Sequence, residues 1–178
     1  RSSEDIYGLM QMSKRPLSPL LYCTYYEKLT QLFWVSKNFL FHAYAWYKYY
    51  AISRQHKAQE LSAEQLTLMA SNVVLAALAV PVPSKKSSEQ YFDTDQTKES
   101  SMRMAALLGF SFNPKRDVLV AEINAKQVAA AALPELRELM DIVETRFHPL
   151  EMATALQPVL SFLEQHESLG RYCQPIVR

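Results

Sequence analysis

The chain is 178 residues long and 49% apolar, with nineteen basic against eighteen acidic residues and a formal charge of +1. That length suits one domain with a sizeable core, or one part of a repeat array, and the charge balance supplies no global basic field for nucleic acid. Three glycines are too few for phosphate-cradling loops or an open β-architecture, so the composition points to helices.

Ser2 and Ser3 can cap a first helix that carries Leu9 and Met12 and ends near Lys14 and Arg15, before the turn marked by Pro16 and Pro19. Residues 22–50 follow, and they hold twelve of the twenty aromatic side chains, both tryptophans among them. Within this stretch Tyr22, Tyr25, Leu29, Leu32 and Phe33 form one helical stripe, which stops at Ser36, Lys37 and Asn38. The next helix has two apolar faces. Leu40, Ala43, Tyr44, Tyr47, Tyr50 and Ala51 form one; Phe39, His42, Trp46 and Tyr49 form the other. A helix apolar on both sides is sandwiched, and the short turn before it makes an antiparallel αα-hairpin. The packing centre is therefore expected at Tyr25, Leu29, Phe33, Trp34, Leu40, Ala43, Trp46 and Tyr47.

Ser62 and Gln65 have capping-box spacing, with Leu61 and Leu66 as the staple around it. Leu66, Met69, Val73, Ala76, Ala77 and Val80 keep one face until Pro81 ends the helix. Residues 81–97 form the one long polar stretch, read as a surface loop or insertion and the segment expected to move most. A helix from about Glu99, with Met104, Leu107 and Leu108, closes at Gly109. Asn113 and Pro114 read as N-cap and first helical position of a short helix with Val118, Leu119 and Ile123. Residues 129–133 are helix-prone, and Pro134 restarts the pattern with Leu136, Leu139, Met140, Val143 and Phe147. Pro149 opens an element with Met152, Leu156, Val159, Leu160 and Leu163, in which Pro158 predicts a kink or break. Leu169, Tyr172 and Ile176 begin a last helix. The pattern amounts to about eight or nine helices in short-looped pairs without a strand, the signature of an α-solenoid of tetratricopeptide-like antiparallel pairs. Residues 1–80 are expected to form helical hairpins, 81–97 the loop, and 98–178 further pairs.

No catalytic constellation emerges. His42, His56, His148 and His166 form no close ligand pair, and there is no nucleophile elbow, P-loop or dinucleotide fingerprint. His42 reads as a core histidine bonded to backbone, and Cys23 as a buried structural thiol. Cys23 and Cys173 make neither a disulfide framework nor a zinc pattern, which suits a reducing compartment. No enzyme activity, cofactor, metal or small-molecule substrate is expected. The strongest apolar run, residues 39–47, falls short of the ~20 residues a membrane span needs. The chain opens on Arg1 without signal-peptide architecture, and is expected to be part of a longer cytoplasmic protein. Candidate nucleic-acid contacts, with a plainly solvated surface as the alternative, are Lys85, Lys86, Arg103, Lys115 and Arg116; Lys115 and Arg116 sit at an expected helix N-terminus, which favours phosphate.

Several local patterns coincide with one family. Glu4, Asp5, Ile6, Gly8, Leu9, Ser13 and Lys14 at the start resemble a stretch of the a-subunit of eukaryotic translation initiation factor three. The segments Tyr25-Tyr26-Glu27-Lys28-Leu29, Phe33-Trp34-Val35-Ser36 and Leu40-Phe41-His42-Ala43 are similar to its successive helices in order, as are Met69-Ala70-Ser71, Leu75-Ala76-Ala77-Leu78, Arg103 to Gly109, and Phe147-His148-Pro149-Leu150. Residues 81–97 and 124–133 match weakly, and Lys37 stands where the family usually has glycine. The resemblance implies a helical arm leading into the helical half of a PCI module, with the winged helix outside this stretch. It also implies a non-catalytic scaffold that pairs with the PCI c-subunit and docks the complex on the small ribosomal subunit, with contact to rRNA or mRNA, for pre-initiation complex assembly and mRNA recruitment. The competing expectations are a PCI scaffold of the proteasome lid or signalosome, and a peptide-binding helical-repeat adaptor.

Overall fold

The computed structural model describes residues 2–12, 18–57, 60–81, 95–112, 114–145 and 149–177. In chain order these form α1 (Ser2–Met12), α2 (Pro19–Val35), α3 (Phe39–His56), α4 (Ala63–Leu78), α5 (Asp95–Leu107), α6 (Arg116–Ala125), α7 (Val128–Ala131), α8 (Pro134–Thr145) and α9 (Pro149–Gln165). A 3-10 turn, Gly170–Tyr172, then leads into α10 (Cys173–Val177). There is no strand among the described residues. The architecture is all-α: α2 packs on α3, α3 on α4, α4 on α7 and α8 on α9, while α5 meets α1.

The aromatic helix α3 lies between α2 and α4. Phe41, His42, Ala43, Tyr44, Ala45, Tyr47 and Tyr50 are buried all around its axis, as two apolar faces require. The turn before it is a Schellman motif: Asn38 N–H donates to the Phe33 carbonyl at 2.9 Å and Lys37 N–H to that of Trp34 at 3.0 Å. Lys37 sits at φ 57 in the left-handed region, which a Cβ disfavours. At the other end of the hairpin Gln65 N–H donates to Ser62 Oγ at 3.2 Å, and Ser62 N–H to Gln65 Oε1 at 2.9 Å, completing the capping box.

Tyrosine hydroxyls bind the later helices to this centre. Tyr25 donates to the Leu107 carbonyl at 3.0 Å, at the end of α5, and Tyr44 donates to the Lys115 carbonyl at 2.8 Å. Gly109 closes α5 at φ 77, where an added Cβ would stand 3.2 Å from the Tyr7 hydroxyl.

Three local expectations are corrected. Helix α5 begins at Asp95 rather than near Glu99, so the end of the expected loop is helical. Helix α6 begins at Arg116 with extended Lys115 as N-cap, not at Pro114, and Lys115 supplies no side-chain cap bond; the Tyr44 bond ties down its carbonyl instead. Helix α9 runs unbroken through Pro158. The proline ring is exposed while Val159 and Leu163 are buried, so packing on the inner face carries the helix past the missing N–H. Most of residues 81–97, and Asn113, Phe147 and His148, lie outside the described residues.

Candidate interaction site

The most elaborate polar arrangement sits where the last turn of the chain meets the aromatic hairpin. His42, on α3, is 1% exposed. Its Nδ1 lies 2.7 Å from the Thr30 carbonyl and its Nε2 lies 2.9 Å from the Tyr172 hydroxyl. A carbonyl can only accept, so Nδ1 carries the proton and Nε2 accepts from the tyrosine. Arg171 Nη2 then donates to the Tyr172 oxygen and to Asn72 Oδ1, both at 3.1 Å. Asn72 Nδ2 in turn donates to the Leu68 carbonyl at 2.9 Å. The knot joins α2, α3, α4 and the final turn, and each buried group in it has a partner, as burial demands.

Burial holds the His42 imidazole at a pKa of about 4, with the Arg171 charge adding to the fall against the Thr30 carbonyl. The same effect, burial first, pushes the Tyr172 hydroxyl up to about 12. Neither group is poised for proton transfer near neutrality. The knot fastens helices.

Around it stand the two tryptophans. The Arg171 guanidinium lies 5.2 Å from the Trp34 ring centre and 5.9 Å from that of Trp46, within cation–π reach. Phe39 and Tyr172 approach Trp34 edge-on, at 5.8 and 5.2 Å between ring centres. Of the residues expected at the packing centre, Tyr25, Leu29, Phe33, Ala43 and Tyr47 are buried, while Trp34, Leu40 and Trp46 are half-buried. The Trp46 Nε1 and Tyr47 hydroxyl are buried without a hydrogen-bond partner.

Two surface depressions border the hairpin. One, of about 350 Å³, opens between the end of α2 and the last turn and is lined by Trp34, Val35, Lys37, Phe39, Arg171 and Gln174. The other, of about 220 Å³, is an apolar groove between α1 and α2 lined by Ile6, Leu21, Tyr25, Leu29 and Leu32.

The expected nucleic-acid contacts fall on separate elements. Arg103, on α5, is exposed and bonded to Glu99 Oε1 at 2.7 Å, one turn away, so much of its charge is locally balanced. Lys115 is exposed at the start of α6, and Arg116 beside it is half-buried with Nε unpartnered. Lys85 and Lys86 lie outside the described residues. No group of three His, Cys, Asp or Glu among the described residues could hold a metal ion, and none of their helices is long and apolar enough to cross a membrane. Arg171 and Asn72 escaped the sequence reasoning, whereas Lys37 enters it only as a turn residue. Arg171 and Asn72 meet across 99 positions, and no local spacing announces that.

Helices packed in antiparallel pairs and fastened by internal polar bonds define an all-α helical-repeat fold. The family model described as "eIF3a, PCI domain, TPR-like region" matches residues 1–151, and the chain belongs to that family. It is 40% identical over 168 residues to the A-subunit of eukaryotic translation initiation factor 3 from Arabidopsis thaliana, covering 90% of this chain and 17% of that protein. The same factor's A-subunit from Nicotiana tabacum is 41% identical over 169 residues, covering 90% of this chain and 18% of that protein. That of Mycosarcoma maydis is 38% identical over 186 residues, covering 99% and 18%. The chain thus spans under a fifth of the length of the curated relatives it matches.

Proposed function

We propose that the chain acts as a non-catalytic scaffold in the cytoplasmic translation initiation factor 3 complex. The observation that carries this reading is the family match along residues 1–151, on a fold of successive helical pairs. Residues 1–80 serve as tetratricopeptide-like hairpins, and residues 98–178 as the helical part of a PCI module beyond the 81–97 connection. Such an arm works by shape and multivalent contact: it fixes its partners at set separations, so each engagement raises the effective concentration for the next. The partners in this reading are the PCI c-subunit and the small ribosomal subunit, and mRNA recruitment to the pre-initiation complex is the outcome. Lys115 and Arg116 are the cations it assigns to RNA, beside a helix N-terminus that favours phosphate.

Affinity purification of the full-length protein from its own cells tests the reading. Initiation-factor subunits should be recovered, and proteasome-lid or signalosome subunits in their place would overturn it. Replacing Lys115 and Arg116 together should flatten the salt dependence of binding to small ribosomal subunits. An unchanged slope would take both residues off the contact surface.

A further inference from the structure

The cleft beside the final turn brings apolar side chains and two cations together. The apolar side chains include Trp34, Phe39 and Val35, the last of which is 81% exposed. Two cations face it, Lys37 and Arg171, and neither makes an ion pair among the described residues. Arg171 donates from Nη2 to Asn72 and Tyr172, which aims the guanidinium, and among the described residues its Nη1 and Nε make no hydrogen bond. Lys37, which also lines the cleft, stands on the left-handed turn at φ 57. A positioned guanidinium and an ammonium beside apolar side chains form a receptor for a carboxylate with a hydrophobic neighbour.

We propose that this cleft docks a short acidic segment of a partner protein, with an aliphatic side chain seated against Val35 and Phe39 and a flanking carboxylate held by Arg171 and Lys37. Nucleic acid fits less well. A base needs an open aromatic face to stack on, whereas Trp34 is already covered by Arg171 at 5.2 Å and hemmed by Phe39, His42 and Tyr172. The volume of about 350 Å³ lies within the range of sites that hold one or two side chains. This inference rests on the scaffold reading and adds to it the chemistry of one partner.

The test uses purified full-length protein and a fluorescein-labelled peptide in which one leucine is flanked by glutamates. The controls are the same peptide with lysines for glutamates and a single-stranded RNA of equal length. Saturable binding of the glutamate peptide alone, weakening as salt is raised, is expected. Lys37→Glu and Gln174→Glu alter exposed positions that line the cleft and should together weaken it by about tenfold, with circular dichroism melts confirming that both variants fold. No saturable binding, equal binding of the lysine peptide, or indifference to both variants would overturn the proposal. RNA binding that the same variants abolish would overturn it in favour of nucleic acid. Failure here with initiation-factor subunits still recovered from cells would refute the cleft alone, whereas loss of that recovery would refute the scaffold reading.

Discussion

Replacing Tyr172 with phenylalanine removes one oxygen from an enclosed position and tests the polar knot. That hydroxyl serves His42 Nε2 at 2.9 Å and Arg171 Nη2 at 3.1 Å. Arg171 retains Asn72 at 3.1 Å and has an exposed edge, so it can recover most of what it loses. His42 cannot: it is 1% exposed, its Nδ1 is already given to Thr30, and Nε2 becomes a buried acceptor without a donor. Leaving such a group unsatisfied costs about 1–3 kcal/mol. The ring remains against Trp34, so no cavity adds to the loss, and destabilisation of about 2 kcal/mol is expected. For a chain of this size that lowers Tm by about 4–8 °C. Urea unfolding followed by tryptophan fluorescence reads the change directly, with the midpoint falling and the slope preserved. A cycle with His42→Leu should show coupling of about 1 kcal/mol or more, because the two side chains share the bond. A Tyr172→Phe chain within about 0.5 kcal/mol of the parent, or one fully additive with the histidine change, would refute the account of the knot.

Three further outcomes follow from other positions. His42 is held at about 4 against an ordinary 6.5, so the unfolded chain takes up a proton that the folded chain refuses; the stability this contributes is complete above pH 6.5 and is lost as pH falls towards 4. At about 1.4 kcal/mol per pH unit the loss is roughly 3 kcal/mol, and His42→Gln should flatten stability across that window; parallel profiles for the two chains would sink the assignment. Lys37→Gly should stabilise the α2–α3 turn by about 0.5–1 kcal/mol, relief of the left-handed strain exceeding the added entropy of the unfolded glycine, and a lowered Tm would contradict the turn described. Pro158→Ala should raise stability by about 1–3 kcal/mol by restoring an N–H donor to the Thr154 carbonyl; because the ring is exposed, no packing is lost, and thermal denaturation measures the gain.

The parts of the fold legible in the sequence are those set by neighbours along the chain. The capping box at Ser62 and Gln65 and the glycine end at Gly109 are short-range geometry, and the two apolar faces of α3 announce its burial between partners. What stays hidden depends on contacts made at a distance. Lys115 caps α6 with its carbonyl held by Tyr44, 71 positions earlier, and neither residue marks the other. A helical stripe shows which way Trp34 and Trp46 point but not that Arg171 covers them. Pro158 reads as a break because propensity weighs a missing N–H without weighing the packing on the far side. The candidate site suffers most: a lone arginine in an apolar tail carries no local pattern, and its role appears only once the tail has folded back.

That return of residues 170–177 onto the hairpin bears on when this part of the fold can close. The bond between His42 and Tyr172 closes a loop of 130 positions, and closing so long a loop costs entropy before any contact rewards it. Ribosomes deliver a chain from its N-terminal end at about 5–20 residues per second. The α2–α3 hairpin therefore emerges several seconds before Tyr172. Arrival of the last turn then encloses the imidazole between Thr30 and Tyr172. Of the knot's residues, the last to be synthesised are those nearest the C-terminal end, so a pull from that end would strain this latch before the hairpin.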